Sequence, residues 1–158
     1  MKKPYALMII AVLFICADAF ASSEIKWFAL KEGTEKARIE KKPMIVDFFY
    51  GKGCPRCDLL QRIAYDNPAI AKKLMNDFIP VRVDMTRKLT KEEERLGNQY
   101  DFRSDCLLLF LDHNGNIIKD PGGKKFCLID AKEPQWLSQL EAEWFAKYLD
   151  AVLSNYKK

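Results

Sequence analysis

Hydrophobic positions in this chain recur at two spacings, and the switches between them predict the order of its elements. From Glu24 to Lys42 an apolar stripe of Trp27, Leu30, Thr34, Ala37 and Ile39 repeats at helical spacing until Pro43 stops it. Met44 to Tyr50 is a β-branched and aromatic run, too short for a helix and long enough for a buried strand, broken by Gly51-Lys52-Gly53. A helix is predicted from the Cys54-Pro55-Arg56-Cys57 segment to about Ala64. Asp66-Asn67-Pro68 then starts another, which runs to about Asn76. Phe78–Asp84 reads as a second strand. Thr90 to Glu93 is a capping box opening a helix that carries Leu96 and Tyr100. Cys106–Asp112 reads as a third strand, and Asn114-Gly115 as a hairpin turn into a fourth at 116–119. The stretch 120–134 is turn-rich, and 138–141 repeats the capping-box pattern before a last helix striped by Leu137, Leu140, Trp144, Tyr148 and Val152. The order α-β-α-α-β-α-β-β-α predicts one α/β domain with a mixed sheet of four to five strands and helices on both faces.

Composition changes this picture only at the N-terminus. The chain has 158 residues, 49% of them apolar, and a formal charge of +4, so no basic block invites nucleic acid. Lys2 and Lys3 precede an apolar run from Tyr5 to Cys16, and Ala19-Phe20-Ala21 follows as a small-x-small cleavage pattern. The run is short of the ~20 residues a membrane span needs. The expectation is a signal peptide over 1–21, cleaved near Ala21, and a periplasmic or secreted domain over 22–158.

Four cysteines then remain: Cys54, Cys57, Cys106 and Cys127. In an oxidising compartment thiols pair unless something binds or reduces them. Cys54 and Cys57 at i and i+3, after a strand and at a helix start, lie on one helix face within bridging reach. The positive end of the helix favours a thiolate at Cys54, Pro55 pre-sets the first turn, and Arg56 adds a fixed charge. These factors make Cys54 the expected nucleophile and Cys57 the resolving thiol. The competing readings are a structural bridge, which would stabilise little across so tight a loop, or half a zinc site, for which no second Cys or His pair exists.

The segments MIVDFFYGKGCPRCDLL, AYDNPAIAKKLMNDFIPVRVDMT and EEERLGNQYDF…LLLFLDHNGNII resemble exported thioredoxin-like proteins. By pattern they are similar to the periplasmic thioredoxins of sulfur-oxidation operons and to the C-terminal domain of the membrane reductant conductor DsbD. The similarity spans Trp27 to Lys119 and implies a thioredoxin fold, protein disulfide or dithiol substrates, a membrane-bound electron donor and no cofactor. Three departures stand out. Gly53 replaces the family's aromatic residue before the first cysteine. Asp47 lies seven residues before Cys54, one further than the family's buried proton-shuttling acid, so it either reaches the pair through a bulge or is an ordinary half-buried strand residue. Cys106 falls where the family has a cis-proline shaping the partner groove; a cis bond before a non-proline costs ~2.5–4 kcal/mol, so a trans bond is expected there.

Redox direction is open at this point. Cys-Pro-x-Cys with Arg56 resembles oxidants of the DsbA type, whereas the overall resemblance implies reduction. A second class of function is thiolate binding of copper or an iron–sulfur species by Cys54, Cys57 and Cys106. A structural Cys106–Cys127 bridge would remove Cys106 from either chemistry. His113 reads as an exposed turn residue, Trp27, Trp136 and Trp144 as core or groove wall on helical stripes, and Lys41-Lys42 and Lys124-Lys125 as solvated ends.

Overall fold

The computed structural model describes residues 24–100, 108–128 and 141–157. The expected leader over 1–21, Cys106, Trp136 and residues 138–140 of the capping pattern lie outside these residues. The described elements are α1 Leu30–Glu40, β1 Met44–Phe49, α2 Pro55–Leu60, α3 Pro68–Asp77, β2 Ile79–Asp84, α4 Lys91–Gln99, β3 Leu108–Leu111, β4 Cys127–Leu128 and α5 Ala142–Tyr156. The sheet order is β2-β1-β3-β4, with β1 parallel to β2 and antiparallel to β3. β1 is buried from Met44 to Phe48, which explains its unbroken apolar run with a single charge at Asp47.

Alternate β1 residues face opposite helical layers. On one face the Phe110 ring, opposite Ile45, meets Phe78 at 6.2 Å and Tyr148 of α5 at 5.7 Å. On the other, α1 closes against Val81, where a Cβ added at Gly33 would stand 2.3 Å from Val81 Cγ2. Only glycine lets this helix approach so near.

Three sequence expectations are corrected. The first helix starts at Leu30, because the segment before it is drawn to the sheet edge: Phe28 N–H donates to Pro80 O at 2.9 Å and Arg82 N–H to Phe28 O at 3.0 Å. Trp27 therefore lies on an extended strap, not a helical stripe, and Ile39 is 70% exposed. The stretch 116–119 makes only isolated bridges, Leu111 with Ile117 and Lys119 with Lys125. The Asp112 carboxylate collects the Asn114 and Asn116 N–H groups into a tight turn, and the fourth sheet strand is Cys127–Leu128 from the turn-rich stretch. In α5 the buried stripe is Phe145, Leu149 and Val152, one residue on from the predicted Trp144 and Tyr148. Those two rings stack on each other at 5.3 Å and are half-buried.

His113 is also half-buried, not a free turn residue. Its Nδ1 lies 2.9 Å from the Tyr156 hydroxyl, which donates to Lys41 O at 2.6 Å, so Nδ1 carries the proton in that pair. This chain of bonds ties the C-terminal helix to the end of α1.

Candidate active site

The parallel strand β1 ends at Phe49, and the chain turns through Gly51 and Gly53, both at φ 88°. A side chain at Gly51 would be strained by that angle and would meet Thr86 Cγ2 at 2.8 Å. This turn carries the chain out of β1 and delivers Cys54 as the N-cap of α2. Pro55 stands in the first turn, where its missing N–H costs nothing, and the Cys57 N–H donates to Cys54 Sγ at 3.2 Å. Sulfur thus receives one of the unpaired donors at the positive end of the helix, an arrangement that favours a thiolate once the pair is reduced.

Cys54 and Cys57 are joined as a disulfide with Cα atoms 5.2 Å apart. Cys57 is 5% exposed and belongs to the core, whereas Cys54 is half-buried. Cys54 and Cys57 are the positions expected from the sequence to attack and to resolve. At Gly53 an added Cβ would meet nothing within 4 Å, so no wall stands over the disulfide at that residue. Arg56 is half-buried beside the pair, one turn from Leu59.

The buried stripe Cys57, Leu60 and Ala64 continues into Tyr65 because Gln61–Tyr65 forms a π-turn, closed by Asp66 N–H on Gln61 O at 2.8 Å. The extra residue per turn lets adjacent Ala64 and Tyr65 both face inward. The sequence showed no sign of it.

Asp47 is 2% exposed, so it is not an ordinary half-buried strand residue. It stands opposite Arg82 in the β1–β2 register; Arg82 Nε donates to its Oδ2 at 2.9 Å, and Nη2 lies 2.9 Å from the same oxygen in an ion pair. The guanidinium is stacked over Trp27 at 4.1 Å and Phe49 at 4.8 Å, with Tyr65 at 5.7 Å. Burial pushes the Asp47 carboxyl up to about 6, against the opposing pull of Arg82. Burial and the Asp47 charge push the Tyr65 phenol well above its ordinary value. Its hydroxyl is the one buried side-chain oxygen or nitrogen without a hydrogen-bond partner among the described residues. Asp47 and Tyr65 therefore share a low-dielectric space between β1 and the π-turn that follows α2. The pairing with Arg82 was not foreseen; the readable signal was an arginine alternating with valines in the second strand.

Cys127 is disulfide-bonded. It sits opposite Leu109, and its backbone is clasped by Tyr148, whose hydroxyl accepts from Cys127 N–H at 3.0 Å and donates to Cys127 O at 3.3 Å. The expected partner Cys106 lies outside the described residues. Among the described residues no group of three or more His, Cys, Asp or Glu side chains is placed to hold a metal ion.

Comparisons with known proteins agree with this geometry. Residues 26–112 match the thioredoxin-like family model Thioredoxin_7. An uncharacterised protein of Archaeoglobus fulgidus is 28% identical over 93 residues, 57% of this chain and 72% of that one. Among solved structures, the DsbH oxidoreductase superposes with a TM-score of 0.58 at 18% identity, covering 82% of this chain and 85% of that one. The oxidised C-terminal domain of Neisseria meningitidis DsbD gives 0.44 at 20% identity, covering 72% and 98%. With the family model spanning more than half of its length and a dithiol pair capping the helix after the central strand, the chain belongs to the thioredoxin-like family.

Proposed function

We propose that this thiol–disulfide oxidoreductase works in an exported compartment and reduces disulfides in protein partners, drawing electrons from a membrane-bound donor. The observation that carries the reading is the asymmetric pair: Cys54 half-exposed at a helix N-terminus and Cys57 buried one turn further on. With the pair reduced, the Cys54 thiolate attacks one sulfur of the partner disulfide and expels the other as a thiolate, forming a mixed disulfide. Cys57 then loses its proton and attacks Cys54 Sγ. The partner's second sulfur leaves as a thiolate, the Cys54–Cys57 disulfide forms, and two electrons have passed to the partner. Asp47 is the internal base for Cys57 in this proposal, a buried carboxyl pushed up to about 6 on the strand that leads into the Cys54 turn. A donor dithiol reverses the two exchanges and restores the reduced pair.

Export rests on the tripartite N-terminal pattern, and the reducing direction on the family resemblance. Cys106 is the proposed partner of Cys127, a bridge that leaves Cys54 and Cys57 as the working pair. Peptide mapping of the oxidised protein checks this; a free Cys106 thiol would overturn it.

The test is trapping. Cys57→Ser should accumulate a mixed disulfide with a partner through Cys54, and alkylation of the reduced protein near neutral pH should label Cys54 well before Cys57. Faster labelling of Cys57 would overturn the assignment. A reduction potential near the ~−120 mV of DsbA, rather than the ~−270 mV of thioredoxin, would overturn the reducing direction.

A further inference from the structure

The exposed side of the redox helix carries a feature that the exchange chemistry does not use. Cys57, Leu60 and Ala64 face the core, so Pro55, Leu59 and Arg62, at i, i+4 and i+7, form the opposite stripe. Pro55, Arg56, Asp58, Leu59 and Arg62 line a groove of about 440 Å³ that begins at the residue after Cys54. Its floor is apolar, from Pro55 and Leu59, and arginines stand along it. Over residues 51–62 the cations are Lys52, Arg56 and Arg62, and the lone acid is Asp58. None of these three cations is in an ion pair among the described residues, whereas Lys36, Lys73, Arg82, Arg87 and Lys147 elsewhere each hold a carboxylate. A groove opening at the nucleophile, with unneutralised cations along it and open space at Gly53, has the sign and shape for a peptide segment carrying acidic side chains.

We infer that this groove selects protein partners whose cysteine is flanked by acidic residues, one of which engages Arg62 while an apolar neighbour rests on Pro55 and Leu59. The inference rests on the proposed disulfide exchange and narrows its substrate class. Electrostatic steering acts on encounter, so the preference belongs to the second-order rate of mixed-disulfide formation and weakens with salt.

The test uses reduced full-length protein and three disulfide-linked model peptides of equal length, with Glu, Gln or Lys flanking the cysteine, followed by stopped-flow at ionic strengths from about 0.02 to 1 M. Hydroxyethyl disulfide serves as a small neutral reference. The acidic peptide should react about tenfold faster than the basic one at low salt, and the ratio should approach one at high salt. Arg62→Glu should lower the ratio at least about threefold, and Arg38→Glu on α1, in the opposite helical layer, should leave it unchanged. Exchange with hydroxyethyl disulfide but equal rates for the three peptides would overturn this inference and leave the exchange function standing. No exchange with any disulfide would overturn the proposed function itself. A ratio unmoved by Arg62→Glu would also overturn the inference, by placing the preference elsewhere on the surface.

Discussion

Among the described residues two carboxylates are buried, each gripped by an arginine, and their surroundings shift them in opposite directions. Asp47 sits mid-strand in β1 with Arg82 as its partner, and burial outweighs that charge, raising its carboxyl to about 6. Glu93, 3% exposed, sits in the first turn of α4. Arg87 binds it through Nη1 at 3.0 Å and Nη2 at 2.6 Å, and the Thr90 N–H donates to Oε2 at 2.8 Å. Arg87 hydrogen bonds hold the Glu93 carboxyl below the ordinary glutamate range despite its burial. An ion pair alone does not fix the protonation of a buried acid; the number of donors and the depth of desolvation do. Glu93 serves as a cap whose charge is permanent near neutrality, whereas Asp47 is poised to exchange a proton.

The comparison breaks most sharply at the arginines. Arg82→Met strands a buried carboxylate in the core and should cost about 3–5 kcal/mol by urea denaturation at pH 8. The cost should shrink at pH 5, where Asp47 can take up a proton. Arg87→Met leaves Glu93 its helix-start N–H donor and should cost only ~1 kcal/mol. Equal costs for the two would erase the distinction.

A kinetic contrast comes next. Asp47→Asn keeps the shape of the carboxyl but removes the base, and should slow resolution of the mixed disulfide by about tenfold or more. Glu93→Gln should leave that step unchanged. If single-turnover rates of Asp47→Asn match the parent across pH 5–8, Asp47 has no part in the exchange.

Capping is a smaller effect. Thr90→Ala removes the hydroxyl that accepts from Glu93 N–H at 3.2 Å and should cost ~1 kcal/mol, read as a shift in the denaturation midpoint.

The two acids should also bend the pH profile of stability in opposite senses. Asp47 binds a proton more tightly folded than unfolded, where aspartate titrates near ~3.9. Its contribution is therefore full below that value and is lost as pH rises through about 6. Glu93 contributes fully above the ordinary glutamate value of ~4.3 and loses its contribution as pH falls through its lower folded value. Denaturation midpoints should fall between pH 4 and 7 in the parent, and Asp47→Asn should flatten that decline. The smallest change is Tyr65→Phe, which deletes a hydroxyl with no partner and should move stability by no more than ~1 kcal/mol, with either sign.

Much of the site was legible because its chemistry is local. The CPRC spacing after an apolar strand determines helix N-cap geometry, and the same local physics held for the Asn67 cap, where Oδ1 accepts from Ala69 N–H at 3.0 Å, and for the Thr90–Glu93 box. Where tertiary contacts compete with local preference, sequence reading failed. The strap at Trp27 gave up helix for two backbone bonds to the edge of β2. The π-turn at Gln61–Tyr65 follows from the need to bury two neighbouring side chains, which no periodicity in the sequence marks.

By itself the sequence determined an α/β domain with a dithiol pair at a helix start, because strand and helix periods, caps and the two-residue gap between Cys54 and Cys57 act over a few residues. Tertiary structure alone decided what surrounds that pair. β1–β2 register places Arg82 opposite Asp47, the two-glycine turn sets Cys54 at the start of α2, and sheet pairing draws its fourth strand from Cys127–Leu128. Each depends on residues distant in the chain meeting across the sheet. There desolvation, absent from any local pattern, sets whether a carboxyl keeps its charge.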